Sequence, residues 1–119
     1  MKLNHINLVV ANVKSATQFF EKYFGFNCTE IKGDNIVAVL KGTDDFTLVI
    51  MKTKDDGPQY PQAFHIGFIQ ETKEQVHHIH RLLKTDGFEV GDGPKNIRDS
   101  FGFYFTFEGV MIEVGVYLN

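Results

Sequence analysis

The sequence predicts an α+β protein built from two βαβββ modules in tandem, their curved mixed sheets arranged around a concave cleft. Three observations carry this expectation. The stretch Leu3-Asn4-His5-Ile6-Asn7-Leu8-Val9-Val10 resembles Ala63-Phe64-His65-Ile66-Gly67-Phe68-Ile69, and both read as strands with a histidine in the same place. Each is followed by apolar residues at helical spacing that end at a glycine and an aromatic, Gly25-Phe26 and Gly87-Phe88. Three shorter β-like runs then complete each half. The modules cover 1–52 and 62–119, with 53–61 as the linker. One helix covers only one face of such a sheet, so the other face needs a partner, and the second module is the obvious one.

The elements follow in order. Asn12 is a helix N-cap, and Val13, Ala16, Phe20, Tyr23 and Phe24 form the apolar stripe of the first helix. Gly25 supplies the left-handed residue that ends it. Strands are expected over Phe26–Ile31, Ile36–Lys41 and Phe46–Lys52, separated by the turn-formers Gly33-Asp34-Asn35 and Thr43-Asp44-Asp45. Lys54, Asp55, Asp56, Gly57, Pro58 and Pro61 make the segment from Thr53 to Pro61 polar and rich in breakers, hence the linker. In the second half Thr72-Lys73-Glu74-Gln75 has the form of a capping box. Val76, Ile79 and Leu83 are the stripe of that helix and Gly87 its end. Strands follow over Phe88–Val90, Phe101–Phe107 and Val110–Tyr117, the last two joined by the tight turn Glu108-Gly109.

Composition narrows the function. The 119 residues suit one compact domain or two small modules sharing a core, and 43% hydrophobic with 23% charged residues is a globular composition. No apolar run is long enough to span a bilayer. The net charge is −3, from 12 basic and 15 acidic residues without a basic block, so nucleic acid and membrane are not the expected partners. Met1-Lys2-Leu3-Asn4-His5 has no signal-peptide core and Cys28 is the lone cysteine, which makes the cytoplasm the expected compartment. Cys28 reads as a small hydrophobe rather than a nucleophile.

Alternation along the strands locates the candidate chemistry. In the first strand Ile6, Leu8 and Val10 share one face, while Leu3, His5, Asn7 and Val9 share the other. Phe64, Ile66 and Phe68 lie opposite His65 and Gly67. Val110, Ile112, Val114 and Val116 lie opposite Met111, Glu113, Gly115 and Tyr117. Three strands thus each pair an apolar face with one carrying a single ionisable residue. Two imidazoles and one carboxylate form the donor set of a divalent cation that leaves positions open for water or substrate, which makes His5, His65 and Glu113 candidate metal ligands. The competing readings are hydrogen-bonded core histidines and a Glu113–Arg98 ion pair. His77, His78 and His80 cluster on the second helix, with His77 and His80 at i, i+3 spacing, but no acidic or thiol donor accompanies them. A solvated helix surface accounts for them.

The two modules, the opening Asn4-His5-Ile6-Asn7-Leu8-Val9-Val10, the helix end Phe19-Phe20-Glu21-Lys22-Tyr23-Phe24-Gly25-Phe26 and Glu113 in the last strand resemble the vicinal oxygen chelate superfamily over essentially the whole chain. That superfamily includes glyoxalase I, bleomycin-resistance proteins, extradiol dioxygenases and fosfomycin-modifying thiol transferases. The resemblance implies that His5, His65 and Glu113 occupy its metal-ligand positions. Aligning Phe46-Thr47-Leu48-Val49-Ile50 with Val110-Met111-Ile112-Glu113-Val114 places Val49 or a neighbour at its fourth ligand position. None of Thr47, Val49 or Met51 is a usual ligand, which departs from glyoxalase I and is closer to the thiol transferases and dioxygenases. Thr106-Phe107-Glu108-Gly109 replaces the Asp-Pro-Asp-Gly turn of many members. Tyr104-Phe105 matches a Tyr-Phe of the fosfomycin transferases, and Arg98-Asp99-Ser100 loosely resembles the motif before it, although Arg98 and Gly102 stand where hydroxyl side chains are expected.

The implied function is that of a divalent-metal-dependent enzyme of lyase, isomerase or thiol-transferase type acting on a small oxygen-chelating substrate. The metal expected is Zn, Mn, Fe, Ni or Co. Tyr104 is the candidate catalytic residue, as hydrogen-bond donor or general acid. Asn7, Val49, Met51, Tyr104 and Met111 are candidate substrate contacts, with Leu3 and Val9 as further apolar wall. The alternative is a non-catalytic protein that binds a small molecule such as an antibiotic. The resemblance and the open sheet edges also imply a homodimer, in which the site is completed within one chain or shared between two.

Overall fold

Asn12 and Gly25 delimit the first helix as their chemistry requires. The Asn12 side chain accepts a hydrogen bond from the Ser15 N–H at 2.9 Å, and Gly25 closes the helix at φ 71°, its N–H donating to the Phe20 carbonyl. Between them runs α1 (Val13–Phe24), which buries Val13, Ala16, Thr17, Phe19 and Phe20. The computed structural model describes residues 1–54, 57 and 59–118. Positions 55, 56 and 58 of the expected linker, and 119 of the second module, lie outside these.

The chain divides into two compact units, Met1–Gln59 and Tyr60–Asn119. The first contains β1 (His5–Val10), α1, β2 (Asn27–Lys32), β3 (Val37–Lys41) and β4 (Thr47–Lys52), with a 3-10 turn at Thr43–Asp45. Its sheet has the order β1-β4-β3-β2; β1 and β4 are parallel and the other pairs antiparallel. Leu8, Val10, Ala38, Leu40, Leu48 and Ile50 fill one face and are buried, with α1 against it.

The second unit repeats the plan with β5 (His65–Ile69), α2 (Lys73–Thr85), β6 (Lys95–Ile97), β7 (Ser100–Phe107) and β8 (Val110–Tyr117). The sheet order is β5-β8-β7-β6, again with only the first pair parallel. Thr72 and Gln75 form the expected capping box. Phe103, Phe105, Val110, Ile112, Val114 and Val116 face α2 and are buried. The structure is therefore α+β with two βαβββ arrangements, each a four-stranded mixed sheet and one helix.

Two expectations need correction. Phe88–Val90 is not a strand; the second strand of this unit is β6, further on. The backbone of 88–90 is engaged elsewhere: Phe88 N–H donates to Leu83 O at 3.0 Å, and Val90 O accepts from His80 Nε2 at 3.0 Å. Gly91, Gly93 and Pro94 follow, and a ladder starts only after them. Second, His80 is not on a solvated surface. It is 4% exposed, and its ring stands edge-on to Phe103 at 4.9 Å. The hydrogen bond to Val90 offsets the cost of burying the imidazole. His80 takes the core place expected of Ile79, which is half-buried.

Candidate functional site

On the face of the second sheet away from α2, the strand register collects a small polar group. Glu113 on β8 lies between Tyr104 on β7 and Gly67 on β5, while His65 is paired with Met111, one step along the same face. Diagonal neighbours across a sheet reach each other when side chains are long. Here His65 Nε2 comes within 3.5 Å of Glu113 Oε1. Tyr104 donates a hydrogen bond to the Glu113 carboxylate, and its ring stands edge-on to the His65 ring at 5.6 Å. The Glu113 side chain is 19% exposed and that of His65 39%, so the carboxylate is recessed while the imidazole borders solvent. Arg98 acts on Tyr104 as a charge opposing that of Glu113.

The remaining nitrogen of His65 is also engaged. Nδ1 donates to the Ala63 carbonyl at 2.9 Å, which leaves the Nε2 lone pair directed at the Glu113 side. Burial of its phenol first, then the charge and hydrogen bond of Glu113, raise the pKa of Tyr104 above the ordinary 10.0, with Arg98 opposing. The phenol thus keeps its proton throughout the physiological range. In metal-free protein it is expected to ionise above pH 10, read as the absorbance difference between the wild type and Tyr104→Phe; Glu113→Gln should move the midpoint down. The folded-state value exceeds the unfolded one, so the contribution of the neutral phenol to stability is complete below pH 10 and is lost as pH climbs through the folded-state value. A wild-type midpoint below 10 would contradict this.

The first unit presents a related face. His5, Asn7 and Val9 pair with Thr47, Val49 and Met51, and all six point away from α1. His5 is exposed, and its Nδ1 donates to Asn4 Oδ1 at 2.8 Å. Asn7 is exposed, Val49 is half-buried and Met51 is 39% exposed. The Asn7–Val49 pair is the counterpart of the Gly67–Glu113 pair, so the position repeating Glu113 is occupied by a valine, which has no donor atom.

The structure thus brings together His65, Glu113 and Tyr104, with Met111 beside them, in the second unit. It groups His5, Asn7, Val49 and Met51 on one face of the first. Among the described residues no three His, Cys, Asp or Glu side chains cluster closely enough to hold a cation. The donor set itself fits a divalent metal: a carboxylate, and two imidazoles whose Nδ1 is occupied and whose Nε2 is left to bind. Sequence reasoning missed Asn4 and Ala63 as the oxygens that occupy those Nδ1 atoms. Asn4 was adjacent to His5 and legible in principle. The Ala63 carbonyl was not, because its direction depends on a left-handed backbone at φ 70°.

Comparison with known proteins agrees with the architecture. The profile of the Glyoxalase/Bleomycin resistance protein/Dioxygenase superfamily matches residues 2–114. The structure of a possible glyoxalase from Bacillus cereus is 45% identical and covers 97% of this chain and 98% of its own, with a TM-score of 0.86. The fosfomycin resistance protein FosX from Listeria monocytogenes is 21% identical over 97% and 90% of the two chains, with a TM-score of 0.78. Lactoylglutathione lyase from Agrobacterium tumefaciens is 14% identical over 97% and 92%, with a TM-score of 0.74. The last two likenesses concern the fold alone. No curated protein matches the sequence. The duplicated βαβββ plan and the profile that spans nearly all of it lead to one assignment: this chain belongs to the glyoxalase/bleomycin resistance protein/dioxygenase superfamily.

Proposed function

We propose that the protein is a divalent-metal-dependent enzyme acting on a small organic substrate that carries two neighbouring oxygens, with chemistry of lyase, isomerase or thiol-transferase type. His5, His65 and Glu113 would hold the metal, with Zn, Mn, Fe, Ni or Co compatible with such donors. The observation that carries this reading is the recessed Glu113 carboxylate 3.5 Å from a His65 Nε2 whose partner nitrogen is already committed. The 45% identity to a possible glyoxalase supports it. Bound there, the metal supplies Lewis-acid stabilisation of negative charge on a substrate oxygen.

The chain's own residues do the rest. Tyr104 keeps its proton and turns it from Glu113 toward a substrate oxygen, as hydrogen-bond donor or general acid. Asn7 offers an amide to the substrate, while Val49, Met51 and Met111 exclude water from it. In keeping with its resemblance to small two-module members of the superfamily, the protein works as a homodimer in the cytoplasm. His5 reaches the other two donors within one chain or from its mate.

Protein purified without a metal-affinity tag provides the test. Zn²⁺, Mn²⁺, Fe²⁺, Ni²⁺ or Co²⁺ at about a thousand times its dissociation constant should add roughly 4 kcal/mol of stability, removable by chelator. Negligible metal content with no thermal shift on adding any of them would refute the enzyme reading in favour of a non-catalytic binder.

A further inference from the structure

The two imidazoles of the donor set are both hydrogen-bonded through Nδ1, yet to oxygens of different origin. In the first unit the acceptor is a side chain: Asn4, just before β1, turns Oδ1 to His5 Nδ1 at 2.8 Å. The residue in the equivalent place of the second unit is Phe64, which has no acceptor and stacks on Tyr60 at 4.9 Å. Its unit uses a main-chain oxygen instead. A turn closed by Phe64 N–H to Pro61 O at 3.1 Å puts Ala63 at its third position with φ 70°, where glycine is usual. That strained alanine directs its carbonyl to His65 Nδ1 at 2.9 Å. Neither acceptor oxygen carries a proton and each is within hydrogen-bond distance of Nδ1, whereas the Glu113 oxygen stands 3.5 Å from His65 Nε2, so in a neutral imidazole the hydrogen lies on Nδ1 and the lone pair on Nε2. A free histidine side chain favours the opposite tautomer. Two local solutions with no shared residue types reach the same end.

We propose that Asn4 and the Ala63 carbonyl are positioning groups that lock His5 and His65 as Nδ1–H tautomers, so that both Nε2 lone pairs are presented before a dication arrives. The purpose of the lock rests on the metal reading above; the lock itself does not. Asn4 acts through its side chain and can be removed singly. It is exposed, so its replacement leaves the core intact. Aspartate at position 4 keeps an acceptor oxygen and alanine does not.

The test uses full-length ¹⁵N-labelled, metal-free protein, taken to the alkaline pH beyond which the ring ¹⁵N shifts no longer change. Two-bond ¹⁵N–¹H correlations then report each tautomer. Both His5 and His65 are expected as Nδ1–H in the wild type. Asn4→Ala should give His5 an Nε2–H population and leave His65 unchanged, while Asn4→Asp should keep His5 as Nδ1–H. Zn²⁺ titrated into each protein should bind Asn4→Ala about ten- to a hundredfold more weakly than the wild type, and Asn4→Asp no more weakly. An Nε2–H tautomer at His5 or His65 in the wild type, or a His5 tautomer indifferent to Asn4→Ala, overturns the proposal. So does an altered tautomer with unchanged Zn²⁺ affinity. Tautomers as expected in a wild type that takes up none of Zn²⁺, Mn²⁺, Fe²⁺, Ni²⁺ or Co²⁺ would sustain the lock and remove the metal-enzyme reading instead.

Discussion

Glutamine in place of Glu113 is expected to cost the protein at least about a hundredfold in dication affinity, since losing a ligand outweighs the ten- to hundredfold typical of losing a ligand's own hydrogen-bond partner. The amide has nearly the shape of the carboxylate, so the sheet around it stays intact. The negative charge goes, and with it the carboxylate that the proposed metal site requires beside His65. The stabilisation of the wild type by Zn²⁺ or Mn²⁺ should then disappear in Glu113→Gln at the same metal concentration. The metal-free variant should unfold within about 1 kcal/mol of the wild type, because the pair it loses is partly solvated. His78→Ala, on an exposed position of α2, is the control and should retain full metal stabilisation. Equal metal stabilisation of Glu113→Gln and wild type would exclude Glu113 as a ligand.

Gly102→Ala should be among the most destabilising single-methyl additions in the chain, at about 3 kcal/mol. Gly102 on β7 pairs with Gly115 on β8, on the face that carries Glu113, Tyr104 and Gly67. A Cβ on Gly102 would run into the Val114 carbonyl oxygen and lie 2.7 Å from Gly115 Cα. Both obstacles are backbone of a central strand, which cannot swing aside as a side chain tip does. Gly25 provides the contrast. It is left-handed at φ 71°, but a Cβ there meets nothing within 4 Å, so Gly25→Ala should cost only the backbone strain of about 1 kcal/mol. Urea unfolding midpoints at unchanged slope would rank the two. A Gly102→Ala variant as stable as Gly25→Ala would mean that the β7–β8 backbone yields where the close approach says it cannot.

Much of this was legible along the chain, and particular residues show why. Asn12, Gly25, Thr72 and Gln75 act on backbone groups three to five residues away, so the helices and their ends could be read locally. The period of two in β1 and β8 separated Leu8 and Ile112 from His5 and Glu113 without any coordinates. Phe88–Val90 was misread because a short apolar run serves equally as a strand or as a helix exit. What decided it was a hydrogen bond from His80, ten residues upstream. The same bond turned His80 from a surface residue into a core one.

The sequence by itself determined the duplicated architecture, the helix boundaries and which residues share a face, because each depends on periodicity, capping chemistry or turn propensity within a few positions. Tertiary structure alone decided which of those residues meet. That Glu113 sits between Tyr104 and Gly67 with His65 on its diagonal follows from the β5-β8-β7 register, which joins residues nearly fifty positions apart. That Ala63 offers its carbonyl to His65 follows from a strained φ that no side-chain pattern encodes. Hydrophobic patterning selects faces; hydrogen-bond direction and strand register select partners, and these exist only once the chain has folded.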